Sequence, residues 1–248
     1  MHPVLRRTLS HAAALLLVAA PALPAQAPAA SDRRPTLAVL HFRNGALGGA
    51  AEYESLSRGI ADLLITDLSA NAGIRVVERD RIEELLREQD LGQTSRMDAA
   101  SAARLGRTLG AGHMIKGSFV VDRGGTMRLD VHAVNVETTA IDHVETVTGR
   151  ADDVLGLIAT LGARLNRGLH LPQLAAAPAA STPAPAAPTA GRGQFQAVML
   201  YSRALAEEDR GNRDGAVELY RRALAAFPGN ENARQRLERL EGAAGGGR

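Results

Sequence analysis

The chain has 248 residues, of which 23% are charged, with 29 Lys and Arg against 27 Asp and Glu and a formal net charge of +2. Cysteine and tryptophan are absent and aromatic residues make up 3%. This excludes disulfides, thiolate metal sites and cysteine nucleophiles, and argues against a stacking platform for bases or sugars. Lys116 is the only lysine, and the arginines form no basic patch, so charge gives no case for nucleic-acid binding.

The N-terminus reads as an export signal. Arg6 and Arg7 form a positive n-region, Ala12 to Ala20 is an apolar run, and Ala25-Gln26-Ala27 is the small-x-small pattern of a cleavage site. A spanning helix needs about 20 apolar residues, and Pro21 and Pro24 break this run too early. Residues 1–27 are therefore expected to be a cleaved signal peptide, leaving a periplasmic chain that could lie at the periphery of the outer membrane and whose formal charges balance. Without a Cys after the cleavage site, lipid attachment there is excluded, and no other long apolar stretch follows.

Residues 36–170 read as one α/β (α+β) domain, a mixed sheet with helices packed on it. Thr36–Phe42 is the first strand, and Tyr53, Leu56, Ile60, Leu63, Leu64 and Leu68 repeat at helical spacing. Ile74–Val77 is a second strand. Asp80 with Glu83 has the pattern of a capping box opening a helix through Gln89. Asp98 caps a further helix that ends at Leu109, with Gly110 and Gly112 behind it.

Three strands follow, His113–Val121, Thr126–Val136 and Ala140–Thr148, with Gly124-Gly125 as the first hairpin turn. Met127, Leu129, Val131 and Ala133 alternate, which buries one face of the middle strand and wets the other. A helix over 151–167 carries Val154, Leu157, Ile158, Leu161 and Leu165 on one face.

The ordered set Val77-Glu78-Arg79, Glu88-Gln89, Gly110-Ala111 and Gly117-Ser118, within residues 36–167, resembles the curli production assembly and transport component family, CsgG. The resemblance implies Glu78, Arg79, Glu88 and Gly117 as family-signature positions of structural character. Pore formers of that family are lipoproteins with two extended membrane hairpins. Here the cysteine is missing and Asp122–Thr126 is only a short turn, so the resemblance implies the periplasmic domain without the pore.

Residues 172–193 hold five prolines among Ala, Ser and Thr and read as a linker. Residues 195–241 read as helices of an all-α hairpin. Ala204, Ala216, Tyr220, Ala223 and Pro228 match the small, aromatic and proline positions of a tetratricopeptide repeat, with Leu200 as a packing residue. Ala233, Leu237 and Leu240 face inward on a third helix. One repeat buries its own core poorly, so it is expected to pack on a partner, on a second copy or on the α/β domain.

Signals for chemistry are weak. Gly112-x4-Gly117-Ser118 lacks the Lys of a phosphate-binding loop and brackets a strand. His41, His113, His132, His143 and His170 lack ligand spacing, although His132 and His143 could face each other across a hairpin. Glu78 and Arg79 suit a structural ion pair or helix-terminus contact. No Gly-x-Ser-x-Gly elbow occurs, and no catalytic, cofactor or metal residue is expected.

The leading expectation is an exported, non-enzymatic assembly or interaction protein. It would self-associate, bind envelope proteins, and use the repeat groove to capture a partner. A second reading is an outer-membrane-associated activator of a peptidoglycan synthase, and a third, weaker one is an envelope hydrolase.

Overall fold

The computed structural model describes residues 34–45, 50–88, 97–172 and 188–245. The expected signal peptide and most of the expected linker lie outside these residues, as does Gln89.

The sheet has the order β3-β1-β4-β5-β6. β1 (Thr36–Val39) runs parallel to both β3 (Arg75–Val76) and β4 (His113–Val121), and β2 (Arg43–Asn44) continues beside β4 further along. β4, β5 (Thr126–Asn135) and β6 (Ile141–Arg150) form an antiparallel meander. Strand alternation divides the apolar residues between two faces. Leu37 and Val39, with Met127, Leu129, Val131 and Ala133, enter the larger core, whereas Ala38, Leu40, Met114 and Val134 enter a smaller one.

α2 (Leu56–Ser69), which follows the one-turn α1 (Ala50–Tyr53), and α5 (Val154–Gly168) contribute to the larger core. α3 (Arg79–Glu88) and α4 (Ala99–Leu109) supply the smaller one. α4 begins where Asp98 accepts from Ser101 N–H and ends at Gly110 in the left-handed region, φ 67°. Gly125, φ 77°, lies in the β4–β5 turn.

Several details differ from the sequence expectation. α3 starts at Arg79, so Asp80 lies in its first turn rather than capping it, and its carboxylate turns to arginines instead. His132 pairs in register with Val144, and His143 with Ala133, which puts the two imidazoles on opposite faces of the sheet. A 3-10 turn, Ala151–Asp153, precedes α5.

α6 (Pro188–Asp209) begins inside the stretch whose composition reads as linker; proline is accepted in the first helical turn because no intrahelical donor is needed there. α7 (Arg213–Ala226) and α8 (Glu231–Gly245) complete the helical repeat. Ala204, Ala216, Ala223 and Ala233 are fully buried, and they belong to the same core as α2, α5 and the sheet. Of the three possible supports for the lone repeat, its own α/β domain is the one observed.

Candidate functional site

The seam between α2 and the repeat is the most heavily built polar region among the described residues. It starts from a close helix approach. A Cβ on Gly59 would lie 2.8 Å from Ser202 Cβ, so α2 and α6 meet with no room for a side chain at that point. One turn further along α2 is Asp62, only 5% exposed. Its carboxylate accepts from the Tyr201 hydroxyl of α6 and, at 2.7 Å, from Nη2 of Arg236 on α8.

The network spreads from this pair. Arg236 Nη1 reaches the Glu208 carboxylate at 3.3 Å and Asp80 at 3.7 Å. Glu208 also accepts from the Tyr220 hydroxyl of α7 at 2.6 Å. The Tyr201 and Tyr220 ring centroids are 5.7 Å apart, tilted, in the favourable range for aromatic pairs. Arg79, 3% exposed at the start of α3, donates to Asp209 at the end of α6, and Arg58 Nε of α2 lies 2.9 Å from the same carboxylate.

Charges and protonation states fit a closed assembly. Burial is the largest single influence on the Arg236 and Arg79 charges and works against them, but the surrounding groups together outweigh it, Asp62 foremost for Arg236 and Asp209 foremost for Arg79, so both guanidinium groups are held above their usual range. Burial, then the neighbouring carboxylate, pushes the Tyr201 and Tyr220 hydroxyls up, keeping them neutral donors. Beside the network is a cavity of about 210 Å³ lined by Thr66, Glu78, Arg79, Asn232, Arg236 and Arg239. The three arginines on its wall are paired, Arg79 with Asp209, Arg236 with Asp62 and Arg239 with Asp80. Among the described residues no three His, Asp or Glu side chains are placed to hold a metal ion.

Of the sequence candidates, the structure brings Arg79 and Tyr220 into the seam. Glu78 is exposed at its rim and forms no pair with Arg79; its carbonyl accepts from Ile82 N–H. Glu88 is the exposed last residue of α3, away from the seam. Gly117 is elsewhere, on β4, where a Cβ would meet the Phe42 ring at 2.6 Å and the Asp130 carbonyl at 2.9 Å. Ala204, Ala216 and Ala223 line the α6–α7 contact, and Pro228 is exposed two residues beyond α7.

Sequence reasoning missed Asp62, Tyr201, Glu208, Asp209 and Arg236. A signal was present: Gly59 to Leu64 is apolar almost all round the helix, the pattern of a helix covered on both sides. α2 is indeed buried on nearly every face, between the sheet and the repeat.

A second polar group on α2 gives a pH dependence. Asp67 lies against Gly162 of α5, and burial raises its carboxyl to a pKa of about 6. A carboxylate with a raised folded pKa costs stability once ionised, so the penalty is present above pH 6 and disappears as pH falls towards 4. Asp67→Asn is expected to stabilise the protein at pH 7.5 by about 1 kcal/mol, after discounting for partial exposure, and to give no gain at pH 4, as read from urea midpoints at both pH values.

Comparison with known proteins finds two family matches in the chain. Residues 20–121 match the family model for the curli production assembly/transport component CsgG, and residues 197–240 match a tetratricopeptide repeat. The first match ends with β4, and the second covers most of α6 to α8. No curated protein matches the chain. Similar solved structures include the LpoB C-terminal domain from Salmonella enterica, 17% identical, covering 47% of this chain and 83% of that one at a TM-score of 0.35. Lipoprotein GNA1162 from Neisseria meningitidis is 14% identical over 53% of this chain and 94% of its own, TM-score 0.40. A PelC dodecamer from Paraburkholderia phytofirmans is 14% identical over 59% and 94%, TM-score 0.33.

Proposed function

We propose that the chain is exported, cleaved behind Ala27, and acts in the periplasm as an assembly protein that binds other envelope proteins without turnover. The observation that carries this reading is the union of a CsgG-matching segment and a tetratricopeptide repeat in one folded body with a shared core. The N-terminal Arg pair, apolar run and Ala-x-Ala site support export. The closed pairing of the buried charged groups supports binding over catalysis, because no buried seam carboxylate lacks a partner to act as acid or base.

In this reading a partner sits outside the repeat groove. The faces of α6 and α8 that point together meet α2 of the same chain, through Tyr201, Ser202 and Arg236. The repeat groove is therefore filled from within, and a partner would use the outward face of α7, where Glu218 and Arg222 are exposed. Among the described residues no helix is long and apolar enough to cross a membrane.

The test is fractionation of the tagged full chain in bacterial cells, with a photo-crosslinking residue at Glu218 or Arg222. The expected result is a mature chain beginning at Pro28 in the periplasmic fraction, cross-linked to a defined envelope protein. An intact N-terminus retained in the cytoplasm would contradict the reading, as would robust turnover by the purified chain.

A further inference from the structure

β6 is a ten-residue strand at the edge of the sheet. The direction of its backbone groups follows from the hairpin end, where Asp122 N–H donates to Thr126 O and Ala151 N–H donates to Gly125 O. Antiparallel bonding alternates along each strand. With the β4–β5 and β5–β6 registers, residues 143, 145, 147 and 149 therefore bond towards β5, and residues 144, 146, 148 and 150 present N–H and C=O groups outward.

Two further observations mark this edge. Ile141 and Val144, 48% and 53% exposed, are the exposed large hydrophobic residues among those described, and both lie on β6. The strand is also electrically polar along its length. Asp142, bonded to His113 and Asn135, is at one end and Arg150, bonded to Asp152 and the Gly124 carbonyl, at the other, and each stays partly accessible, with side-chain exposures of 37% and 66%. A strand acidic at its start and basic at its end opposes unlike charges when paired antiparallel with itself, and like charges when paired parallel.

We propose that β6 pairs antiparallel with β6 of a second copy of this chain about a two-fold axis at Thr146. Thr146 then faces its own counterpart, Val144 faces Thr148, and Asp142 faces Arg150. This pairing satisfies the outward backbone groups and covers the Val144 side chain with the partner's threonine methyl group. Two features suit it. The register shift between Ala133 and Val134 leaves Asp142 as the extra residue at the end of the paired stretch, so the shift does not interrupt it. Arg164 Nη1 already donates to the Thr146 carbonyl at 3.1 Å, which leaves that oxygen a second lone pair for the strand partner. The inference rests on the sheet edge alone and is independent of export or of any envelope partner.

The absence of cysteine makes the test clean, since single cysteines can be placed in the mature full chain. Thr146→Cys is expected to form a disulfide-linked dimer under mild oxidation. Val144→Cys and Thr148→Cys should each fail alone and cross-link when mixed. In sedimentation measurements on unmodified protein at about 50 μM, a dimer is expected; Asp142→Arg and Arg150→Asp should each weaken it about tenfold, and the combined swap should restore it. A monomer at that concentration would overturn the proposal. So would a dimer that none of these substitutions affects, or one that cross-links equally well from Val144→Cys alone.

Discussion

Arg236→Ala is expected to destabilise the protein by about 3–5 kcal/mol, measured as a fall in the urea midpoint followed by circular dichroism. Removing the guanidinium leaves the Asp62 carboxylate buried with only the Tyr201 hydroxyl, and takes from Glu208 its cationic neighbour. A buried ion pair need not itself be stabilising, because desolvation of both partners offsets most of the attraction. The cost arises from stranding one charge. Asp62→Asn combined with Arg236→Met should therefore recover most of the loss: the amide oxygen still accepts from Tyr201, and methionine fills much of the arginine's volume. A double variant as unstable as Arg236→Ala would show that the pair holds the seam by attraction and not by neutrality.

At the close approach of α2 and α6, the expected sign is opposite to helix propensity. Gly59→Ala would favour an isolated helix by about 1 kcal/mol. Here it should cost about 2 kcal/mol, because the new methyl group lies 2.8 Å from Ser202 Cβ and the helices must move apart. Ser202→Gly removes the opposing atoms. The Gly59→Ala, Ser202→Gly double variant should be more stable than Gly59→Ala alone, giving a coupling of about 1–2 kcal/mol in a double-mutant cycle. Additive effects would mean that the two helices do not touch at these residues.

Both predictions concern contacts that local patterns do not reveal, which explains what the sequence made legible. The α4 caps, the β4–β5 turn and the alternation of Met127, Leu129, Val131 and Ala133 depend on neighbours within a few residues. The mixed α/β class, the CsgG resemblance and the repeat spacing were readable for the same reason. The seam was not, because its central bonds join residues 139 and 174 positions apart.

The same long reach accounts for the misread start of α3. Asp80 and Glu83 have the spacing of a capping box, but Arg79 is drawn in by Asp209, while Asp80 serves Arg79, Arg236 and Arg239 and Glu83 lies 2.5 Å from His41. The facing of His132 and His143 that the hairpin allowed is missed by one residue of register, which in a strand reverses the face. α2 is the instructive case. Its apolar residues do not form one stripe, and such a helix has to be covered twice.

The central claim is that the repeat is an integral part of the structure, with α2 held between it and the sheet. Native-state hydrogen exchange tests this most directly, since it reports the opening free energy of each element. If the account is right, amides in the middle of α6 and α7 exchange with the same free energy as those of α2 and β5, as one cooperative unit. If α6 and α7 exchange far faster while β5 and α2 stay protected, the repeat is a loosely tethered module and the account is wrong.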